Sequence, residues 1–550
     1  MTGLVSFGDY RTEAAREFAH TLIVVDDEAW QKVQGPPPRK GLRRPSRAVM
    51  TPAPAPAQEE LALERHSLDA EALVNAAMEL GLVCSIVRPP KNQSVRTKVG
   101  LAAKRADIVC LDWELHDDGG RSATNIIRDI ALSDNKSGGR LRLIAIYTGD
   151  KNNNQILEKI FDALPKSYRE RFHVNRDPVR IESNHGLRIV CLFKAHGIQL
   201  ADIRKERQVR EADLPARLQQ EFALIVGGLM SNVALATIAS IRDATHHMLS
   251  KMTASIDAPY FHHRAILPAT QDAEEYSVNV VLSELKSIVD KRGVGEKYTG
   301  SSAIRARIVE IAENREPALR YKKGANEETY PLSVAEATCF VTDGAKVAYG
   351  QIDRNKPALK EFQRGISTLF STDANTAKIA MKEFAALTGV IAHQGSELFR
   401  SGRKLPQLGL GSIVRLGREQ YLLCLQATCD AVRLKKKTPF LFVPLVSDLD
   451  HPEHVIPILG RGGKVGYVGL STPPRAYAEV ASISFEPDRK QERVLAKKLL
   501  RKRGSFFVDT EKREYRWVAD LKQRRALRTA QHLGQEMGRL GFDEFEPFRR

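Results

Sequence analysis

At 550 residues the chain exceeds what one ordinary hydrophobic core encloses, and a length prior gives roughly three to four domains. Its formal charge of +17, from 84 Lys and Arg against 67 Asp and Glu, favours acidic partners, nucleic acid among them. The six cysteines (Cys84, Cys110, Cys191, Cys339, Cys424 and Cys429) lie mostly inside apolar runs without paired Cys-x-x-Cys spacing, which argues against a zinc site or a disulfide framework and reads as buried thiols in a reducing cytosol.

Asp9, Glu13 and Glu17 precede the first apolar run where a signal peptide would carry basic residues, so a cytoplasmic location is expected. From residue 20 to about 200, apolar runs alternate with helical segments, the order of a parallel sheet buried on both faces. The runs are Thr21 to Val25, Leu82 to Arg88, Asp107 to Leu111, Leu141 to Tyr147 and Leu187 to Phe193, and right-handed crossovers place them in one sheet. Helices are expected over Leu61 to Leu80 and over Arg121 to Ile130, where Ile126, Ile127 and Ile130 recur on one face. Gln34 to Gln58, rich in Pro, basic residues and Ala, reads as an extended insertion beside the first strand, and Ser167 to His185 as a second insertion forming a hairpin.

Beyond residue 205 the pattern is helical over Val209 to Met252, Ala273 to Asp290, Ser302 to Glu313 and Ala374 to Leu387. Phe222 to Ile241 carries no charge over about the length that spans a bilayer, but without an aromatic belt or one-sided basic flank it reads as a helix buried in protein, and no membrane span is expected. Near 410 the pattern turns to β, with Gly411 to Arg415, Tyr421 to Leu425 and Pro439 to Leu445, before a basic helix from Trp517 to Leu540. The fold class is therefore α/β, a five-stranded doubly wound parallel sheet in a domain at 1–204 with an insertion at 34–58. A helical domain at 205–405 and a β-rich, α+β module at 406–550 follow.

Four of the apolar runs end on polar residues: Asp26 and Asp27, Asp112, Thr148, and Lys194. Ligand chemistry in such sheets gathers at the carboxyl ends of the strands. In kind and order, these residues resemble the phosphorylation pocket of the receiver domain of bacterial two-component response regulators, over roughly residues 20 to 200. The resemblance implies a flavodoxin-like sheet with Asp112 as phosphoacceptor. Mg2+ would be held by Asp26, Asp27, Asp112 and the backbone carbonyl of Glu114. The Thr148 hydroxyl would donate to the phosphoryl group, and Lys194 would supply a point charge. These residue types suit the task, since phosphoryl transfer to a carboxylate needs a nucleophile, a hard cation with oxygen ligands, a donor and an ammonium. A histidine-kinase-like protein is the implied partner. Three departures from the family pattern stand near the pocket: Ala195 follows Lys194 where proline is usual, Cys191 takes a place often held by an aromatic residue, and the Pro-rich insertion adjoins the acidic pair.

After residue 200 no nucleophile with its base, nuclease carboxylate cluster or nucleotide fingerprint stands out, so no enzyme is expected beyond aspartate autophosphorylation. Tyr421 to Asp430, with Tyr515, Arg516 and Trp517, resemble modules that follow degenerate receivers in bacterial proteins of defence against phage. His246 with His247 and His262 with His263 read as surface or cap residues rather than metal ligands, and Gly460 to Lys464 as a β-turn. Lys435 to Lys437, Lys497 with Lys498, Arg501 to Arg503, and Lys522 with Arg524, Arg525 and Arg528 are the densest basic clusters. The leading reading is a response-regulator-like signalling protein whose receiver takes up phosphate on Asp112, or docks a kinase, and controls a C-terminal output module. The alternative is a nucleic-acid-associated scaffold with an inert receiver as docking surface.

Overall fold

The computed structural model describes residues 5–29, 68–89, 95–149, 153–183, 186–195, 205–267, 270, 272–323, 326–352, 356–371, 373–396, 399, 404–448, 451–460, 465–500 and 502–537. The insertion at 34–58, Trp30, residues 61–67 of the expected second helix, Gly460's neighbours 461–464, Arg501 and residues 538–540 lie outside them. The chain divides into two compact units, Met1–Arg315 with Thr338–Gly344, and Glu316–Ala337 with Ala345–Arg550.

In the first unit the long apolar runs become β1 (Thr21–Val25), β2 (Val83–Val87), β3 (Ile108–Leu111) and β4 (Arg142–Thr148), followed by short β5 (Asn175–Arg176) and β6 (Arg180–Glu182), then β7 (Leu187–Lys194) and β8 (Gln208–Val209). The order is β2-β1-β3-β4-β7-β6-β5 with β8 paired to β7, and β2, β1, β3, β4 and β7 are mutually parallel. The sheet thus has eight strands rather than the five expected. The three extra strands are two or three residues long, too short for an alternation to register in the sequence. β5 and β6 are the hairpin expected within Ser167 to His185, laid antiparallel along β7.

Strand residues alternate between two faces, and each face has its own core. Ile23, Val25, Val109, Leu111, Ile144 and Ile146 pack with residues from α3 (Val95–Ala103), α4 (Arg121–Lys136) and α5 (Asn153–Ala163), Ile126, Ile130, Ile156 and Ile160 among them. Leu22, Val24, Ile108, Cys110, Leu143 and Ala145 pack on the other face with α1 (Phe7–Phe18) and α2 (Ala70–Glu79). Burial on both faces explains why the strands read as unbroken apolar runs. Helix α6 (Lys166–Arg171) precedes the hairpin, and α7 (Leu214–Ala223) joins the second face through Leu214, Leu218 and Phe222.

The uncharged stretch Phe222 to Ile241 is not one helix: α7 ends, the chain turns at Gly227 and Gly228, and α8 (Leu229–Asp243) begins. Leu235 and Ala236 of α8 are buried with Ala14, Val294 and Tyr298, so its lack of charge serves helix packing. No helix among the described residues is long and apolar enough to cross a membrane.

The second unit opens with a hairpin of β9 (Ala318–Lys323) and β10 (Asn326–Pro331), inside the span read as helical. A nine-stranded sheet follows: β11 (Val390–His393), β12 (Ser412–Leu416), β13 (Gln420–Cys424), β14 (Thr438–Ser447), β15 (His454–Leu459), β16 (Val465–Ser471), β17 (Ala481–Phe485), β18 (Phe506–Val508) and β19 (Glu514–Leu521). Phe440, Phe442, Phe485, Tyr515 and Trp517 fill one of its cores. The basic helix begins at Gln523 rather than Trp517, because Tyr515 and Trp517 alternate into that core as residues of β19. Its Ala526 and Leu533 belong to a second core with Ile413, Leu423 and Val443.

A fully buried arginine ties the elements below the pocket. Arg142 Nε and Nη2 donate to Asp134 Oδ2 and Oδ1 at 3.1 and 3.2 Å, and Nη1 donates to the carbonyls of Ala106, at 3.0 Å, and Ala103. Asp134→Ala leaves a buried guanidinium without its counter-charge and should cost about 3–5 kcal/mol in urea unfolding, whereas the pair Asp134→Leu with Arg142→Met should recover most of that loss.

Candidate functional site

Strand register brings the five sequence-identified side chains to one edge. Val25 pairs with both Val87 and Leu111, Leu111 with Ile146, and Thr148 with Phe193. Asp26 and Asp112 therefore leave the carboxyl edge level with Tyr147, while Thr148 stands one residue and Lys194 two residues further along the same edge. The ladder carries past the strand ends, with the Asp26 amide donating to Val87 O at 3.2 Å and the Asp112 amide to Val25 O at 2.9 Å. Asp26, Asp112, Thr148 and Lys194 are all buried.

The centre of the site is the Lys194 ammonium, which donates to Asp26 Oδ2 at 2.9 Å and to Asp112 Oδ2 at 3.0 Å. The other oxygen of each acid is fixed by the backbone two residues on: Asp26 Oδ1 accepts from the Glu28 amide at 2.8 Å and Asp112 Oδ1 from the Glu114 amide at 3.4 Å. Burial would lower the Lys194 pKa, but Asp112 and Asp26 outweigh it and hold the group above the ordinary lysine value. Burial raises the Asp112 carboxyl to about 6 against the pull of Lys194, with Asp26 adding to the rise.

Asp27 completes the acidic group, since carboxylate oxygens of Asp26, Asp27 and Asp112 lie within 4.8 Å of one another. Its Oδ2 accepts from the His116 amide at 3.0 Å, while its Oδ1 is buried without a hydrogen bond. An all-oxygen donor set with a carboxylate oxygen left over fits a hard cation such as Mg2+. Glu114 turns its carboxylate to the Gly119 amide, at 3.1 Å, and its carbonyl accepts from the Asp117 amide at 3.5 Å. The histidine pairs lie on exposed or half-exposed helix positions, and among the described residues the aspartate trio alone has the spacing to hold a metal.

Several contributors escaped the sequence reading. His116 presents its backbone to Asp27 only because it and Asp117 adopt left-handed φ values of 60° and 57°, which no residue pattern signals. Trp113 is buried against Gly120, where φ is +83° and a Cβ would stand 2.0 Å from the indole. Tyr147 lies beneath Lys194, with Nζ 5.8 Å from its ring centroid, and its hydroxyl donates to Val209 O at 2.8 Å. Lys194 itself pairs with Val209 of β8. The described peptide bonds are all trans, that between Lys194 and Ala195 included, and Cys191 is buried in the core of the α3–α5 face.

A parallel sheet in the order β2-β1-β3-β4-β7, with acids at two adjacent strand ends and a threonine and a lysine at the next two, is the arrangement of a receiver domain. Residues 18–199 match the family model of the response receiver domain, so the resemblance read from the sequence holds over that span. No curated protein matches the chain.

Gly120→Ala should destabilise the protein by about 2–4 kcal/mol, from the left-handed φ and the displacement of Trp113 together. Thermal unfolding measures the loss, and a red shift of Trp113 emission reports the opened loop.

Proposed function

We propose that the chain is a response-regulator-like signalling protein in which the Asp112 carboxylate accepts a phosphoryl group from a histidine-kinase-like partner or a small phosphodonor. The observation that carries this reading is the buried Lys194 ammonium shared between Asp26 and Asp112 at the carboxyl edge. An Asp112 oxygen attacks phosphorus, the new O–P bond forms as the bond to the donor's leaving group breaks, and the electron pair departs with that group. Lys194 exchanges its contact with Asp112 for a phosphoryl oxygen, and the Thr148 hydroxyl donates to another. Asp26, Asp27, Asp112 and the Glu114 carbonyl would hold Mg2+, which supplies positive charge against the phosphoryl oxygens. The added charge biases a two-state surface that governs an output module in the rest of the chain, in the cytoplasm and in a setting of defence against phage. The match to the response receiver domain supports the signalling class.

Intact-mass measurement after treatment with a small phosphodonor and Mg2+ should show one added phosphoryl group. Asp112→Asn should abolish it, and Lys194→Ala or Thr148→Ala should slow it by roughly 10²-fold. Labelling that survives Asp112→Asn rules out this residue as acceptor. Mg2+ should also change Trp113 emission in a saturable way, and Asp27→Ala should weaken that response by at least about tenfold.

A further inference from the structure

The β-rich unit contains a cavity of about 380 Å3 whose rim is set by Lys522, Arg524, Arg525 and Arg528 from the start of the helix Gln523–Met537, with Glu453 and His454 from the head of β15. The helix start is anchored, since the Lys522 amide donates to Gly389 O at 2.9 Å and the Arg525 guanidinium donates to Glu453 O. Lys522, Arg524 and Arg528 form no side-chain hydrogen bond or ion pair among the described residues.

The second observation is His454, 3 % exposed, lining the cavity with both ring nitrogens buried and neither hydrogen-bonded. The Glu453 carboxylate reaches only to 4.0 Å from its Nε2 and is occupied by the amide, at 3.2 Å, and the hydroxyl of Thr472. Burial, followed by the field of Arg525, keeps the imidazole neutral by holding it down to about 4, so it offers one N–H donor. A buried donor without a partner is costly, and a bound acceptor removes that cost.

Four cationic side chains against one engaged carboxylate exclude a metal ion and select an anion. The guanidinium fork matches phosphate oxygens in pairs, and the helix N-terminus adds the partial positive charge of the helix dipole. The volume falls at the low end of small-molecule sites, and the histidine lies recessed. We propose that this cavity binds a small phosphomonoester, its phosphate held by Lys522 and the arginines with His454 beneath. This reading is independent of phosphorylation at Asp112.

Calorimetric titration of the full chain with inorganic phosphate, ribose 5-phosphate and AMP tests the proposal, with a short oligothymidine lacking terminal phosphates as the contrast. At least one ester should bind as a single site, and Arg524→Glu with Arg528→Glu should weaken it by roughly tenfold or more, as should His454→Ala. Both arginines are exposed, so their double variant reads out binding even if His454→Ala does not fold. The proposal fails if neither ester binds, if inorganic phosphate binds and the esters do not, or if ester affinity ignores the arginine substitutions. It fails equally if the oligothymidine binds more tightly than both esters and loses affinity with the same substitutions, which would make the rim a contact for nucleic-acid backbone.

Discussion

The pocket rests on a buried ammonium holding two buried carboxylates together. Taking such charges out of water costs several kcal/mol per ion, and the cost is offset only where each charge is paired and its remaining oxygens are hydrogen-bonded. Both conditions hold at Lys194, since Asp26 and Asp112 each give it one oxygen and turn the other to a backbone amide. Asp27 stands beside them as a third acid, its carboxylate oxygen within 4.8 Å of theirs, a spacing that suits a hard cation. The pairing around Lys194 is complete, while Asp27 Oδ1 is left buried without a hydrogen bond.

These groups are brought together because neighbouring parallel strands end at one edge, the lysine and threonine strands running one or two residues past the acids. Parallel pairing sets β1, β3, β4 and β7 side by side in register, and the polar residue after each apolar run then has nowhere to point but the shared edge. The two cores enforce this, because slipping any strand by one residue would turn its inward set to the wrong face. Fold and site are therefore one constraint.

That economy made the first unit legible in the sequence. Five long apolar runs, four of them with abrupt polar ends, are visible without coordinates, and so are the residues of the edge. What stayed hidden depends on contacts between distant segments or on backbone conformations. Left-handed His116 and Asp117, the Trp113 packing on Gly120 and the two-residue strands β5 and β8 have no periodic signature. The Phe222 to Ile241 stretch was legible as buried but not as two helices, since adjacent glycines permit a turn without requiring one. In the second unit the basic cluster at Lys522 to Arg528 was visible, whereas its facing histidine was not, because β15 and the last helix meet only in the fold.

The pairing of Lys194 with Val209 gives the lysine a second allegiance. Its side chain answers to the acids, while its backbone is laced to the segment that begins the helices beyond the sheet, and the Tyr147 hydroxyl clasps the same Val209 carbonyl. From Val209 the chain runs into Leu214–Ala223, whose Leu214, Leu218 and Phe222 are wedged into the sheet's second face. The residue that binds the acids and the strand that opens onto the helices after residue 205 are thus joined backbone to backbone, so one short stretch of chain borders both the pocket and the sheet's second face.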